Sequence, residues 1–282
     1  MTEPAEPTPA EACFLQGVAG PIFAIYFPPH GASAERAVIL LPPFAEEMNR
    51  SRRMLVLQAR RLAAAGIGAL ILDPFGTGDS AGEFRDASWA IWIEDVAAAV
   101  RWLAARGAVR IGMLGLRLGA LLAAAAQRQS GISCFRTVFW QPVIQGRAIL
   151  TEFLRLDIGA GMLGKESGGG TMDQLRKRLA AGESVEVAGY ELPAALAAAI
   201  ERLDLAALAN VAAGPVSWLE VVRSADSGLS VAGRQCVERW TAAGVPVAAA
   251  GIVGRPFWIG QSITLVPDLL AATTQAFAGA GA

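Results

Sequence analysis

Short apolar strands alternate with helical segments along most of this chain. The helical segments run through Met54 to Ala65, from Trp89 to Arg106 and from Leu118 to Gln129. The strand-like runs are FAIYFPP (23 to 29), AVILLPP (37 to 43), ALILD (69 to 73), VRIGMLGL (109 to 116), TVFWQPV (137 to 143), PVSWLEVV (215 to 222) and PVAAAGIV (246 to 253). Strands that alternate with helices predict an open α/β fold with a parallel sheet covered on both faces.

The alternation stops between residues 146 and 212. The region contains GAGMLGKESGGGTMDQLRKRL and then ELPAALAAAIERLDLAALA, and the helical pieces of both runs are amphipathic. We therefore expect a cap at 146–212 inserted into a core of 13–145 and 213–282. The acidic, proline-rich start predicts a flexible segment over 1–12.

Composition excludes several classes of function. The formal net charge is −1 and the chain has two lysines, so we expect no nucleic-acid partner. Although 54% of the residues are apolar, charged residues such as Arg117 and Arg255 cut each apolar stretch, and no transmembrane segment is expected. The start lacks the positive leader of a secretory signal, and we expect a cytoplasmic protein.

The cysteines do not indicate a metal site or a disulfide framework. Cys13, Cys134 and Cys236 are odd in number and far apart, without a CxxC pair or a Cys/His cluster. We expect neither a metal nor a cofactor. The sequence does not indicate an oligomeric state.

One strand, turn and helix carry the most informative motif, GMLGLRLGALLAA at 112 to 124. A G-x-x-x-G turn between a buried strand and a helix is where many hydrolases lift a nucleophilic serine above the sheet. This chain has Arg117 there. A guanidinium stays protonated, and it offers five donors but no lone pair for attack.

Five features in chain order resemble the α/β-hydrolase family and cover nearly the whole chain. They are LLPPFAEE, LDPFGTGDSAG, GLRLG, the cap-sized insertion and Asp226 after PVSWLEVV. More narrowly, GLRLGALLAA with LLPPFAEEMNRSRRM and LDPFGTGDSAGEF resembles the exosortase A system-associated hydrolases of the second type. That resemblance implies a setting in bacterial exopolysaccharide and PEP-CTERM protein sorting, without a known reaction.

The family pattern implies a serine at 117, a histidine in the loop GIVGRPFWIG and an acid at Asp226. The loop has no histidine, and the chain's single histidine, His30, follows an early strand far from this position. Ser80 in GTGDSAG is the runner-up nucleophile, although that loop pattern also serves loop geometry alone.

The remaining candidates describe an anion-binding pocket. The amides of Leu118 and of Phe44 or Ala45, together with Arg117, are expected to form an anion cradle at a helix start. Asp79 and Trp258 are expected to line the pocket. Arg117 either pairs internally with an acid such as Glu46, Glu47, Asp79 or Asp226, or faces a ligand with its spare donors.

Three functions follow from these residues. The first is a hydrolase-fold protein that lacks the Ser and His of the triad and binds an anionic or glycan-linked ligand or a partner in the exosortase system. The second is a carboxylester or thioester hydrolase that uses Arg117, backbone amides and a water activated by Asp226 or Glu46. The third is a scaffold with a filled pocket.

Overall fold

An eight-stranded sheet forms the centre of the protein. The computed structural model describes residues 9–31, 35–162, 171–210, 214–260 and 263–279. The strands are β1 (Glu11–Gln16), β2 (Pro21–Phe27), β3 (Arg36–Leu41), β4 (Gly68–Leu72), β5 (Arg110–Leu116), β6 (Thr137–Trp140), β7 (Val185–Val187), β8 (Tyr190–Leu192), β9 (Val216–Val222) and β10 (Val247–Val253). The helices are α1 (Glu46–Ala64), α2 (Trp89–Ala105), α3 (Leu118–Ser130), α4 (Gly146–Met162), α5 (Met172–Ala180), α6 (Ala194–Glu201), α7 (Val231–Ala242) and α8 (Pro267–Ala278).

The order of the main sheet is β1-β2-β4-β3-β5-β6-β9-β10. β1 and β2 run antiparallel to their neighbours, and all pairs from β4 to β10 are parallel. The predicted α/β fold with a mostly parallel sheet and flanking helices is confirmed. The carboxyl ends of the parallel strands share one edge, where a fold of this class places its ligand site.

Helices cover both faces of the sheet and enclose two apolar cores. α1 and α8 pack on one face, around residues such as Leu55, Trp140 and Leu269. α2, α3 and α7 pack on the other face, around residues such as Phe139 and Trp240. The central strands are buried on both faces, which explains why their sequences read as continuous apolar runs.

A separate group of elements lies between β6 and β9. It consists of α4, α5, α6 and the hairpin β7–β8, none of which joins the main sheet. The sequence analysis missed this hairpin because each strand has only three residues, although the turn at Ala188 and Gly189, with φ of 51° and 83°, has the left-handed geometry of a tight hairpin. Residues 163–170 and 211–213 of the expected cap lie outside the described residues.

The amino-terminal region contains a strand that the sequence analysis did not predict. β1 begins at Glu11, inside the segment expected to be flexible, and pairs with β2 over six residues. Residues 1–8 of that segment lie outside the described residues.

Among the described residues, no helix has both the length and the apolar character required to cross a membrane.

Candidate functional site

Arg117 occupies a strained turn between β5 and α3. Its backbone has φ 56° and ψ −116°, a region that costs a non-glycine residue about 1–3 kcal/mol. The flanking glycines make this turn possible. A Cβ on Gly115 would lie 2.4 Å from the Gly119 carbonyl oxygen, and one on Gly119 would lie 2.4 Å from the Leu41 carbonyl oxygen. The G-x-x-x-G spacing is therefore required by backbone packing.

A second turn of the same shape precedes α1. Ala45 has φ 47° and ψ −121°, close to the values at Arg117. Phe44, Ala45 and Leu118 line one small cavity of about 20 Å³, so the structure brings the three predicted amide-bearing residues together. A cavity of this size has room for about one water molecule. Larger ligands must therefore approach Arg117 from another direction.

The Arg117 side chain is held between the core and α4. Its Nε donates to Glu47 Oε1 at 3.1 Å, and its Nη2 donates to Glu152 Oε2 at 2.5 Å. The guanidinium also lies 5.6 Å from the centre of the Trp258 ring. Of the two alternatives for Arg117, internal pairing with an acid and contact with a ligand, the structure shows the first. Its Nη1 makes no hydrogen bond with any described residue, so one end of the guanidinium keeps spare donors.

Glu47 is the least satisfied member of this group. Burial raises the pKa of its carboxyl to about 7, against the opposing effect of the Arg117 charge and hydrogen bond. Glu47 is 4% exposed, yet its Oε2 has no hydrogen-bond partner. Glu46 next to it is similar, because its Oε2 is buried without a partner and burial raises its pKa. Two carboxylate oxygens thus lack the donors that buried acceptors require.

Two cavities meet at Arg117. The α1 cavity, about 550 Å³, lies on the α1 side and is lined by residues that include Glu46, Glu47, Trp258 and Phe153. The α7 cavity, about 430 Å³, lies on the α7 side and is lined by residues that include Gln145, Asp204, Ser230, Cys236 and Arg239. Arg117, Ile149 and Glu152 line both cavities. The Arg117–Glu152 pair therefore separates two chambers of the size that holds small ligands.

Charges are balanced around the α1 cavity. Its three carboxylates belong to Glu46, Glu47 and Glu152, and its three guanidinium groups belong to Arg50, Arg117 and Arg155.

Among the residues that the structure describes, no group of three or more His, Cys, Asp or Glu side chains is placed to hold a metal ion.

Several residues predicted for the site lie elsewhere. Asp226 is exposed in a short turn at Ala225–Ser227 and lines neither cavity. Asp79 is also exposed and lines neither cavity, although its N–H donates to Asp73 Oδ2. His30 lines neither cavity, and its backbone N–H donates to the Ala63 carbonyl. Trp258, by contrast, is buried at the α1 cavity as expected for a pocket residue.

Ser80 is engaged in holding its own loop. Its Oγ donates to the Asp73 carbonyl oxygen at 2.5 Å and accepts the Phe23 N–H at 2.8 Å. With both interactions made, the hydroxyl ties the loop after β4 to the start of β2. Ser80 lines neither the α1 cavity nor the α7 cavity.

The sequence analysis did not single out two acids that the structure places in ion-pair or hydrogen-bond networks, Glu152 beside Arg117 and Glu220 on β9. Glu152 was missed because it lies in the cap, where no motif marked it. Glu220 on β9 is buried and accepts from the Trp218 indole and from the Ser230 N–H and hydroxyl. Its position inside an apolar strand was a signal, because a buried carboxylate in such a run needs several donors.

Comparisons with known proteins agree on the fold. No protein-family model matches the sequence, and no curated protein sequence matches it. The chain is similar to Est1E from Butyrivibrio proteoclasticus, in its structure with bound ferulic acid, with a TM-score of 0.69 and 14% identity over 94% of this chain and 97% of that one. It is also similar to a highly thermostable carboxyl esterase from Bacillus coagulans, with a TM-score of 0.62 and 11% identity over 96% and 97% of the two chains.

A third solved structure extends the same likeness to a fungal enzyme. Carboxyl esterase 2 from Tuber melanosporum has a TM-score of 0.60 and 14% identity, over 99% of this chain and 88% of that one. At these identities the likeness concerns the fold alone. The chain thus has the α/β-hydrolase fold.

Proposed function

We propose that this chain is a ligand-binding protein built on the α/β-hydrolase fold. In this proposal Arg117 replaces the nucleophilic serine, the triad histidine is missing, and the protein acts in the cytoplasm within the exosortase and PEP-CTERM exopolysaccharide system. A guanidinium has no lone pair with which to attack a carbonyl. The loop from Gly254 to Gly260 supplies no histidine to act as a base.

One observation carries the binding proposal, the unpartnered Oε2 of Glu47. The Glu47 side chain lines the α1 cavity. Its other carboxylate oxygen, Oε1, accepts a hydrogen bond from Arg117 Nε, whereas Oε2 accepts none. A buried acceptor without a donor costs about 1–3 kcal/mol, and a ligand that brings a donor recovers that cost. Glu46 lines the same cavity, and its Oε2 is likewise buried without a partner.

The chemistry of the cavity favours a glycan-linked ligand over an anionic one. An anion would have to compete with Glu47 and Glu152, which already occupy Arg117. Equal numbers of carboxylates and guanidinium groups favour a ligand that is neutral. Hydroxyl groups donate to carboxylates and accept from guanidinium groups, and the apolar faces of a sugar pack on aromatic rings such as Trp258.

Isothermal titration calorimetry tests this proposal. The ligands are neutral disaccharides (maltose, cellobiose and N,N′-diacetylchitobiose), and sodium phosphate and sodium acetate are the anions for comparison. We expect a disaccharide to bind more tightly than either anion, and Glu47→Gln to weaken its binding at least tenfold. Glu186→Gln is the matched control, since Glu186 is an exposed glutamate on the β7–β8 hairpin. Tighter binding of phosphate or acetate than of any sugar, or equal sugar binding by the Glu47→Gln protein, would contradict the proposal.

A second candidate function is a carboxylester or thioester hydrolase without a covalent intermediate. It is favoured by the position of Glu47, which lines the α1 cavity and accepts a hydrogen bond from Arg117. Burial raises the pKa of Glu47 to about 7, and a general base works best when its pKa lies near the operating pH. Glu47 thereby takes the role that the sequence suggested for Asp226 or Glu46. A water held by Glu47 would attack the ester, and Arg117 Nη1 would stabilise the oxyanion.

Hydrolysis of p-nitrophenyl acetate and of an acyl thioester distinguishes this candidate from pure binding. The hydrolase requires a rate that rises with pH around 7 and that falls in both Glu47→Gln and Arg117→Ala. Asp226→Ala is the control and keeps the wild-type rate, because Asp226 is exposed and outside both cavities. Equal background rates in all four proteins would eliminate the hydrolase.

A further inference from the structure

The outermost strand of the sheet, β10, is exposed in an unusual way. It pairs with β9 on one side, and its other edge has no strand partner among the described residues. The four successive residues from Ala248 to Gly251 are all exposed. Because successive side chains in a strand point to opposite faces, solvent reaches both faces of β10 as well as its edge.

This edge lacks the devices that keep a free strand from pairing. Val247–Val253 contains no charged residue and no proline, and Val253 is 49% exposed. The opposite edge, β1, begins with Glu11, which forms an ion pair with Arg106 at 3.1 Å. Natural edge strands are protected by charges, prolines or bulges, whereas a long apolar edge pairs with another strand.

We infer that β10 pairs with β10 of a second copy of this chain, antiparallel and about a two-fold axis at Ala250. This register places Val247 opposite Val253, Ala248 opposite Ile252 and Ala249 opposite Gly251. Every facing pair is apolar, and no like charges meet. A strand that is complementary to itself in this way suits the isologous interface of a symmetric dimer.

The layers flanking the sheet favour a second copy over an extended peptide. α8 packs with α1 on one face of the sheet, and α7 packs with α3 and its neighbours on the other. A two-fold axis perpendicular to the sheet keeps the faces matched, so the α8 layers of the two copies lie on one side of the joined sheet and the α7 layers lie on the other. A peptide would satisfy the edge of β10 but would leave both of its faces in water.

Sedimentation velocity tests the dimer on the full chain from about 1 to 100 µM. We expect a dimer in this range and a monomer for Ala249→Lys, because two buried lysines would then flank the two-fold axis. Phe14→Lys is the matched control, since Phe14 is 63% exposed on β1, and it should remain a dimer. A monomeric wild-type protein overturns the inference, as does a dimer that survives Ala249→Lys or dissociates with Phe14→Lys.

A cysteine at the axis tests the pairing directly. Residues that face each other in an antiparallel pair have Cα atoms about 4.5–5.5 Å apart, within reach of a disulfide. Ala250→Cys should therefore form a covalent dimer under mild oxidation. The wild-type protein should not, because Cys134 and Cys236 are buried and Cys13 is half-buried on β1, at the opposite edge of the sheet. Far-UV circular dichroism checks that each variant folds. The double variant Ala249→Lys with Val253→Lys should also be a folded monomer. A folded double variant that remains a dimer, or a failure of Ala250→Cys to cross-link, would show that the β10 pairing is wrong.

Discussion

Two ion pairs connect α1 to loops at the carboxyl ends of β4 and β5, the strands on either side of β3, and the two pairs differ in how many of their hydrogen bonds are made. Arg52 binds Asp73 after β4 through two hydrogen bonds of 2.6 and 2.9 Å, and the Asp79 N–H adds a third contact to the carboxylate. Glu47 binds Arg117 after β5 through a single hydrogen bond of 3.1 Å. The first pair leaves no carboxylate oxygen without a donor, whereas the second leaves Glu47 Oε2 unpartnered beside a cavity.

This difference is the basis on which we distinguish a structural pair from the proposed binding site. A buried pair with all its hydrogen bonds made fixes the surrounding backbone, and it offers nothing to a ligand. A buried pair with an open acceptor keeps part of its desolvation cost until a donor arrives. The Arg52–Asp73 pair therefore fits a role in loop geometry, and the Glu47–Arg117 pair fits the ligand binding proposed above.

The largest expected effect comes from breaking each pair in turn. Asp73→Ala should lower the free energy of unfolding by about 3–5 kcal/mol, because it removes a bidentate partner from a fully buried position. Arg117→Ala should cost only about 1–2 kcal/mol, because Glu47 can take up a proton near neutral pH and Glu152 is half exposed. Urea unfolding followed by tryptophan fluorescence measures both.

An exposed pair provides the control for this comparison. Arg85 and Glu191 form an ion pair in which both side chains are about half exposed, and Arg85→Ala should cost less than about 1 kcal/mol. Equal losses for Asp73→Ala and Arg117→Ala would show that both pairs serve stability alone. The distinction drawn from the missing donor would then fail.

The contrast between the pairs also marks how far sequence reasoning reaches. The alternation of strands and helices and the G-x-x-x-G turn predict the sheet and the position of Arg117, because local backbone demands fix them. The partners of Arg117 depend on tertiary packing. Glu47 was one of four candidates, and Glu152 comes from a cap helix whose placement no local pattern specifies. Asp226, predicted from its place after a strand, is exposed because the chain turns outward there.

The second expected effect is a pH dependence that belongs to Glu47. Its pKa is raised from 4.5 to about 7 in the folded state, so the folded protein holds a proton that the unfolded chain releases. Stability is therefore full below about pH 4.5 and decreases as pH rises to about 7. The size of the shift corresponds to about 3 kcal/mol.

Glu47→Gln isolates this contribution, because glutamine resembles the protonated acid. The difference in the free energy of unfolding between the variant and the wild-type protein should grow in favour of the variant from about pH 4.5 to 7 and then level off. Asp95, whose pKa burial raises to about 6, contributes a decrease in the same direction to both proteins and cancels in the difference. A difference that stays constant with pH would show that folding does not raise the pKa of Glu47.

The smallest expected effect concerns Ser80, which belongs to the Arg52–Asp73 side of the comparison. Ser80→Ala removes the donor to the Asp73 carbonyl and the acceptor of the Phe23 N–H, so it should cost about 1–2 kcal/mol of unfolding free energy. It should leave disaccharide binding and any ester hydrolysis unchanged. Ser227→Ala, in the exposed turn next to Asp226, is the control and should cost almost nothing. Ser80→Ala could instead abolish hydrolysis without changing the free energy of unfolding. The nucleophile would then lie in the loop after β4, and the catalytic site would not be the one around Glu47 and Arg117.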